Sequence, residues 1–390
     1  MRTKKLSILF TLFGMFSCIE PQLHLPAQEM FTELPVIVTE MQVEAVWNVN
    51  LDWKVEWYYY NKWDNNDHDL WGDIDHIYPV PTWYSVRRYY LGHSAGAPHT
   101  KEGMDGFRIN EPKFRRVYQF GYYDLLLWSE IDAEDNAQVV IVDDSDLDNV
   151  QATTSITRSA SLISKVETNK PQALYNQPEI FYSAYPRDIY ISQNVDDYDY
   201  FDEKERLWVK HIDCELRPLV YVYLVQILLY NNEGDRVKSI SGDCAITGMA
   251  NGVSVNSGHT SNTPCNVYFR SNMKKNFNIS GRNADIIGGV LTTYGLCDME
   301  GYVPKTKAQY AGSRSELPNY LVFELQMSGG SIQALRYDVS DQLQAQCHGG
   351  LITIEIDCMD IDNPIVESGA GSIFQPTVED YDELSYDIPM

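Results

Sequence analysis

Positive charge is scarce in this sequence: 30 Lys and Arg stand against 55 Asp and Glu, for a formal net charge of −25. A surface of that sign repels nucleic-acid phosphates and anionic head groups, which excludes DNA, RNA and polybasic membrane binding. Between Cys18 and Lys54 there is no Lys or Arg at all. Long apolar runs are missing too. Leu6–Phe16 falls short of the about 20 residues needed to span a bilayer, and no later segment is long and apolar enough. No HExxH, Walker loop, dinucleotide fingerprint or Ser/Lys pair occurs, and no CxxC or Cys/His spacing suggests zinc. No cofactor, metal site or catalytic residue is therefore expected, and the chain reads as a non-enzyme. Sustained helical periodicity is nearly absent, which argues against an α or α/β architecture.

What is present begins at the N-terminus. Arg2, Lys4 and Lys5 precede the apolar run, and the run stops at Ser17-Cys18. This is the layout of a secretory signal. A small residue followed by Cys is the cleavage pattern of a bacterial lipoprotein, in which the Cys is lipidated and becomes residue one. Residues 1–17 are thus expected to be signal peptide and Cys18 a palmitate-bearing anchor to the outer membrane. Met15 and Phe16 depart from the usual residues before the cleavage point, and a plain secretory signal is the alternative. The other six cysteines, Cys214, Cys244, Cys265, Cys297, Cys347 and Cys358, lie in the C-terminal half. An even count in an exported chain permits disulfides, with 15 possible pairings; buried free thiols are the other reading.

Period-two alternation dominates the rest. From Val43 to Tyr59 every odd position is apolar or aromatic, the mark of a strand with one face in a core. Segments 118–129 and 137–144 flank a turn-rich stretch and read as a hairpin, as do 321–327 and 332–339. Segment 218–230 reads as a near-continuous apolar strand, buried on both faces or bent. Ile352, Ile354, Ile356 and Cys358 point one way, Thr353, Glu355 and Asp357 the other. The expected fold is all-β, with sandwiches the simplest arrangement. The polar stretch 192–206 is the best seam. It gives an N-terminal linker over 18–40, a first domain over 41–193 with an aromatic-rich insertion near 60–100, a second over 204–362, and a mobile acidic tail over 363–390.

Three stretches invite a functional reading. Gly92–Gly96, GHSAG, fits the GxSxG nucleophile elbow, which would make Ser94 the nucleophile of a secreted esterase. The elbow needs a helix after the serine, whereas Pro98 and two glycines follow here, so a surface loop is favoured. Asp64–His76 is rich in carboxylates, but its spacing fails the calcium-loop pattern, and a solvated acidic loop is the better reading. Six of the eight Trp lie between Trp47 and Trp83. Trp47, Trp53 and Trp57 share the inward phase of the first long strand; Trp63, Trp71 and Trp83 lie beyond it and could form a glycan-stacking platform.

Four segments then resemble a Bacteroidetes lipoprotein family of fimbrillin-like and fimbrial-assembly proteins of unknown function, which includes minor-fimbrium anchors. They are YYDLLLWSEIDAEDNAQVVIVD (122–143), SGDCAITGMANGV (241–253), ISGRNADIIGGVLTTYG (279–295) and LQMSGGSIQALRYDVSDQL (325–343). The chain departs from the pattern at Trp128-Ser129, in the aromatic insertion and in the acidic tail. The resemblance implies two tandem transthyretin-like Greek-key β-sandwiches on a lipid tether, cell-surface exposed. It implies partners among fimbrial or other surface subunits, with host or dietary glycans as the alternative. Stalk pilins of that superfamily lose an N-terminal strand to a protease that cuts after Arg or Lys. The Lys/Arg-free stretch from Cys18 to Lys54 implies instead an anchor, cap or accessory subunit that keeps its first strand.

Overall fold

The computed structural model describes residues 32–39, 81–100, 103–111, 113–130, 139–142, 147–157, 174–301 and 318–361. The strand expected over 43–59, the acidic loop 64–76, Trp63 and Trp71, Cys18 and the tail 363–390 lie outside the described residues.

The chain is all-β. Its first half contributes β1 (Thr32–Thr39), β2 (Tyr84–Gly92), β3 (Met104–Ile109), β4 (Lys113–Tyr118), β5 (Gly121–Ser129), β6 (Val139–Val142), β7 (Gln151–Thr154), β8 (Leu174–Asn176), β9 (Tyr182–Ala184), β10 (Ile189–Ile191), β11 (Tyr200–Asp202), β12 (Leu207–Val209), β13 (Ile212–Glu215) and β14 (Arg217–Pro218). The second half adds β15 (Tyr221–Tyr230), β16 (Val237–Ala250), β17 (Gly252–Ser254), β18 (Pro264–Arg270), β19 (Asn272–Ile279), β20 (Arg282–Thr293), β21 (Tyr320–Met327), β22 (Ile332–Asp338), the short helix α1 (Ser340–Ala345) and β23 (Gly350–Asp357).

In the second half, a sheet of order β19-β20-β15-β23 faces one of order β22-β21-β16-β18-β8. Inward residues of both, including Tyr223, Val225, Ile227, Phe269, Phe323 and Ile354, form one core. The expected apolar strand is β15, and every one of its residues is buried. It is covered on both faces because Leu224 and Leu228 join a second cluster with Phe277 and Ile286. The β21–β22 hairpin forms as expected, with Gln326 opposite Ile332, and the expected phase of β23 holds, with Ile352, Ile354 and Ile356 buried.

In the first half, a sheet of order β14-β9-β5-β2-β3 packs against one built from β11, β12, β1, β13 and β4. Tyr123, Leu125 and Leu127 of β5 meet Tyr118, Ile212 and Cys214 of the facing sheet. The opposite face of β5, with Leu126 and Trp128, enters a third core shared with Ala152, Val253 and Tyr294. That core joins the halves. β7 pairs with β17 and β8 pairs with β18, so strands from the first half complete sheets in the second.

Three expectations need correction. Segments 118–129 and 137–144 do not pair: both edges of β5 are taken, one by β2 and the other by β9 and β10, so β6 pairs with β7 instead. The stretch 192–206 is not a seam, because it leads into the β11–β12 hairpin of the first half's sheet, and that half runs on to β14. Residues 32–39 of the expected linker form β1, a strand with neighbours on both sides.

Candidate functional site

The GHSAG loop leaves the end of β2. Gly92 and Gly96 take φ of +72° and +66°, the left-handed region that glycine adopts at no steric cost. Ser94 is exposed in a turn closed by the Ala97 N–H on the Ser94 carbonyl at 3.4 Å. Among the described residues no helix directly follows the serine, so the strained elbow that activates a serine is not seen and the loop matches the favoured surface-loop reading.

What the loop does instead is set by a buried carboxylate. Asp124, the one charge in β5, shows 1% of its surface to solvent. Its Oδ2 accepts from His99 Nε2 at 2.8 Å and from the Tyr185 hydroxyl at 3.2 Å, and its Oδ1 accepts from the Asp188 N–H at 2.7 Å. Arg187 Nε lies 3.9 Å from Oδ2. The Asp188 carboxylate in turn accepts from the Gly96 N–H at 3.2 Å. The His99 ring stands edge-on to Tyr89 at 5.2 Å, and its Nδ1 faces Asp148 at 4.0 Å. Burying a carboxylate demands such partners, and here they pin the loop after β2 to the turn before β10. His99 bridges two carboxylates rather than a carboxylate and a hydroxyl, which makes this a structural latch.

A second cluster surrounds β1. In its sheet, β1 runs antiparallel to β4 and parallel to β12 and β13. The parallel ladder pairs Glu33 with Val209 and resumes at Val36 with Ile212. The gap faces Leu34 and Pro35. Proline has no N–H to give a ladder, and the His211 N–H turns away to Asp199 Oδ2 at 2.6 Å. Beyond β12, the β11–β12 hairpin presents aromatic groups. Phe201, 42% exposed, packs on Trp208 at 5.1 Å, and Tyr200 lies 5.4 Å from the His211 ring. Arg115 of β4 donates to Asp202 Oδ2 at 2.8 Å, Glu205 Oε2 at 2.9 Å and the Tyr200 hydroxyl at 2.9 Å. The Arg115 guanidinium holds Asp202 below the usual carboxylate range.

Of the three glycan candidates only Trp83 lies among the described residues. It is exposed, but the Arg108 guanidinium sits 5.3 Å over its ring, and Arg108 is itself paired with Glu130. Among the described residues, edge strands with exposed apolar residues include β6 (Val140, Val142), β22 (Ile332), β4 (Val117) and β11 (Phe201). Among the described residues no group of three or more His, Cys, Asp or Glu could hold a metal ion.

All six C-terminal cysteines are buried free thiols. Burial pushes the Cys244 and Cys358 thiols up to about 12 and Cys297 to about 11, so they pack as small apolar groups.

Sequence reasoning missed Asp124, His99 and Arg115. The signal for Asp124 was a single charge inside a strand otherwise apolar in both phases. Arg115 carried no signal, because its partners lie far along the chain.

No protein-family model matches the chain, and no curated protein does. Solved structures do. A candidate adhesin from Bacteroides ovatus matches at 13% identity and a TM-score of 0.46, over 73% of this chain and 90% of that one. The fimbrial anchor protein Mfa2 from Porphyromonas gingivalis matches at 11% identity and a TM-score of 0.37, over 70% and 82%. A candidate polysaccharide-binding protein from Bacteroides thetaiotaomicron matches at 10% identity and a TM-score of 0.40, over 84% and 91%.

Proposed function

We propose that the chain is a lipid-anchored cell-surface protein of a fimbria-like assembly or of adhesion, serving as an anchor, cap or accessory subunit that keeps its own first strand. It acts by contact and not by chemistry. The observation that carries this reading is the position of β1. It is an interior strand of its sheet, and the first Lys or Arg after Cys18 is Lys54, which falls inside the segment 43–59 read as a strand, so a trypsin-like cut would fall within that segment and not cleanly before it. The ordered family-like motifs and the export signal with Cys18 support the surface assignment. Partner strands would add at edges such as β6 and β22, where backbone groups and exposed Val140, Val142 and Ile332 are available. Labelling cells with palmitate and isolating the protein tests the anchor: wild type takes up label and Cys18→Ala does not. A wild type without label contradicts it.

A second reading, binding of host or dietary glycans through Trp63, Trp71 and Trp83, is favoured by the exposure of Trp83. A glycan array with wild type and the triple Ala variant separates the two, since an assembly subunit gives no sugar-dependent signal.

A further inference from the structure

The interior placement of β1 hides a weakness. Pro35 supplies no N–H to either neighbour, and the parallel ladder with β12 and β13 is interrupted opposite it. Parallel pairing is in any case slightly less stable per residue than antiparallel. On the other side, the ladder partner of Pro35 is Arg115. Arg115 sends its side chain to Tyr200, Asp202 and Glu205. In strand order β4 and β11 lie on opposite flanks of β1. The guanidinium therefore ties together the two walls of the groove that β1 fills, at the level where the backbone pairing fails.

We propose that Arg115, with Asp202, Glu205 and Tyr200, is a clasp that keeps the first strand seated in its sheet. A guanidinium suits the task because its planar fork of donors serves several acceptors at once. The clasp holds the walls rather than the strand, so β1 leaves its groove only when β4 and the β11–β12 hairpin can part. One consequence rests on the lipid-anchor reading. Cys18 lies upstream of β1, so a pull through the tether reaches β1 first, and the clasp resists its extraction.

Hydrogen–deuterium exchange of the purified protein tests the clasp without any tether, so failure of the anchor reading and failure of the clasp remain distinct. The peptide covering residues 32–39 is followed beside one from β15. R115A and the surface double variant D202N/E205Q should each speed exchange over 32–39 by about tenfold and leave β15 unchanged. R115K, which keeps the charge but not the fork, should restore part of the protection. R116A, which removes the neighbouring guanidinium that lies 4.7 Å over Phe107, should leave 32–39 at the wild-type rate. Raising salt to about 1 M, where the screening length is about 3 Å, should speed exchange in wild type and not in R115A. Wild-type rates over 32–39 in both R115A and D202N/E205Q, or an equal rise in β15, would overturn the proposal.

Discussion

Asp124 accepts a 2.8 Å hydrogen bond from His99 Nε2 across the junction of β5 with the loop that follows β2. The aspartate shows 1% of its surface to solvent and also serves Tyr185 and Asp188. Removing it as Asp124→Ala leaves an imidazole, a hydroxyl and a backbone N–H without their acceptor. Loss of one partner in a buried charged network costs about 3 kcal/mol. Urea denaturation should show a loss of that order, with a smaller loss for His99→Ala, whose ring is nearer the surface.

Ser94 lies outside that network and is exposed in its turn. Ser94→Ala should change stability by less than about 0.5 kcal/mol. The wild type should give no turnover of a chromogenic ester above the buffer rate, and the variant should match it.

Gly121 opens β5 with φ of +137°, and a Cβ there would run into the Gly92 carbonyl oxygen and the Tyr90 ring. Gly121→Ala combines backbone strain with a steric clash, so it should cost about 3 kcal/mol. Thermal melts that show no loss would mean that the start of β5 sits differently.

His348 supplies a pH signature. Burial depresses it from 6.5 to about 4, and its ring packs edge-on to Tyr221 at 5.3 Å. Between those values the unfolded chain takes up the proton and the folded chain does not. Its contribution is therefore complete above pH 6.5, is lost as pH falls toward 4, and changes no further below. The full loss is up to about 3 kcal/mol, from about 1.4 kcal/mol per unit. His348→Gln removes this titration, so the stability difference between wild type and variant should slope over pH 4–6.5 and be flat above it.

The six buried thiols should stay unreactive toward a thiol reagent at pH 8 in the native state and all react in guanidinium. Their raised pKa values and lack of access act in the same direction. A reductant should leave the melting temperature unchanged, since no disulfide links them.

The parts of this fold that could be read in the sequence are those fixed by local pattern. β15 announces itself by a run apolar in both phases, and β23 by strict alternation. The β21–β22 hairpin is marked by the Ser-Gly-Gly-Ser turn between its strands. Pairing between distant segments left no such trace. Sequence adjacency alone suggests that β6 pairs with β5, yet both edges of β5 are taken by strands from elsewhere. β1 falls in the stretch expected to be linker; Pro35 interrupts its short apolar run, and a proline argues against an interior strand. The site was less legible than the fold. Asp124 could be seen as an anomaly, but Arg115 and its acceptors are brought together only by the sheet order.

The proposed role requires that the mature protein reach the cell surface with its first strand still part of the chain. Mass spectrometry of the N-terminal peptide of the protein recovered from cells measures this directly. The expected result is a lipid-modified Cys18 at the start of a chain that contains Thr32–Thr39. A mature N-terminus downstream of Lys54 would contradict it.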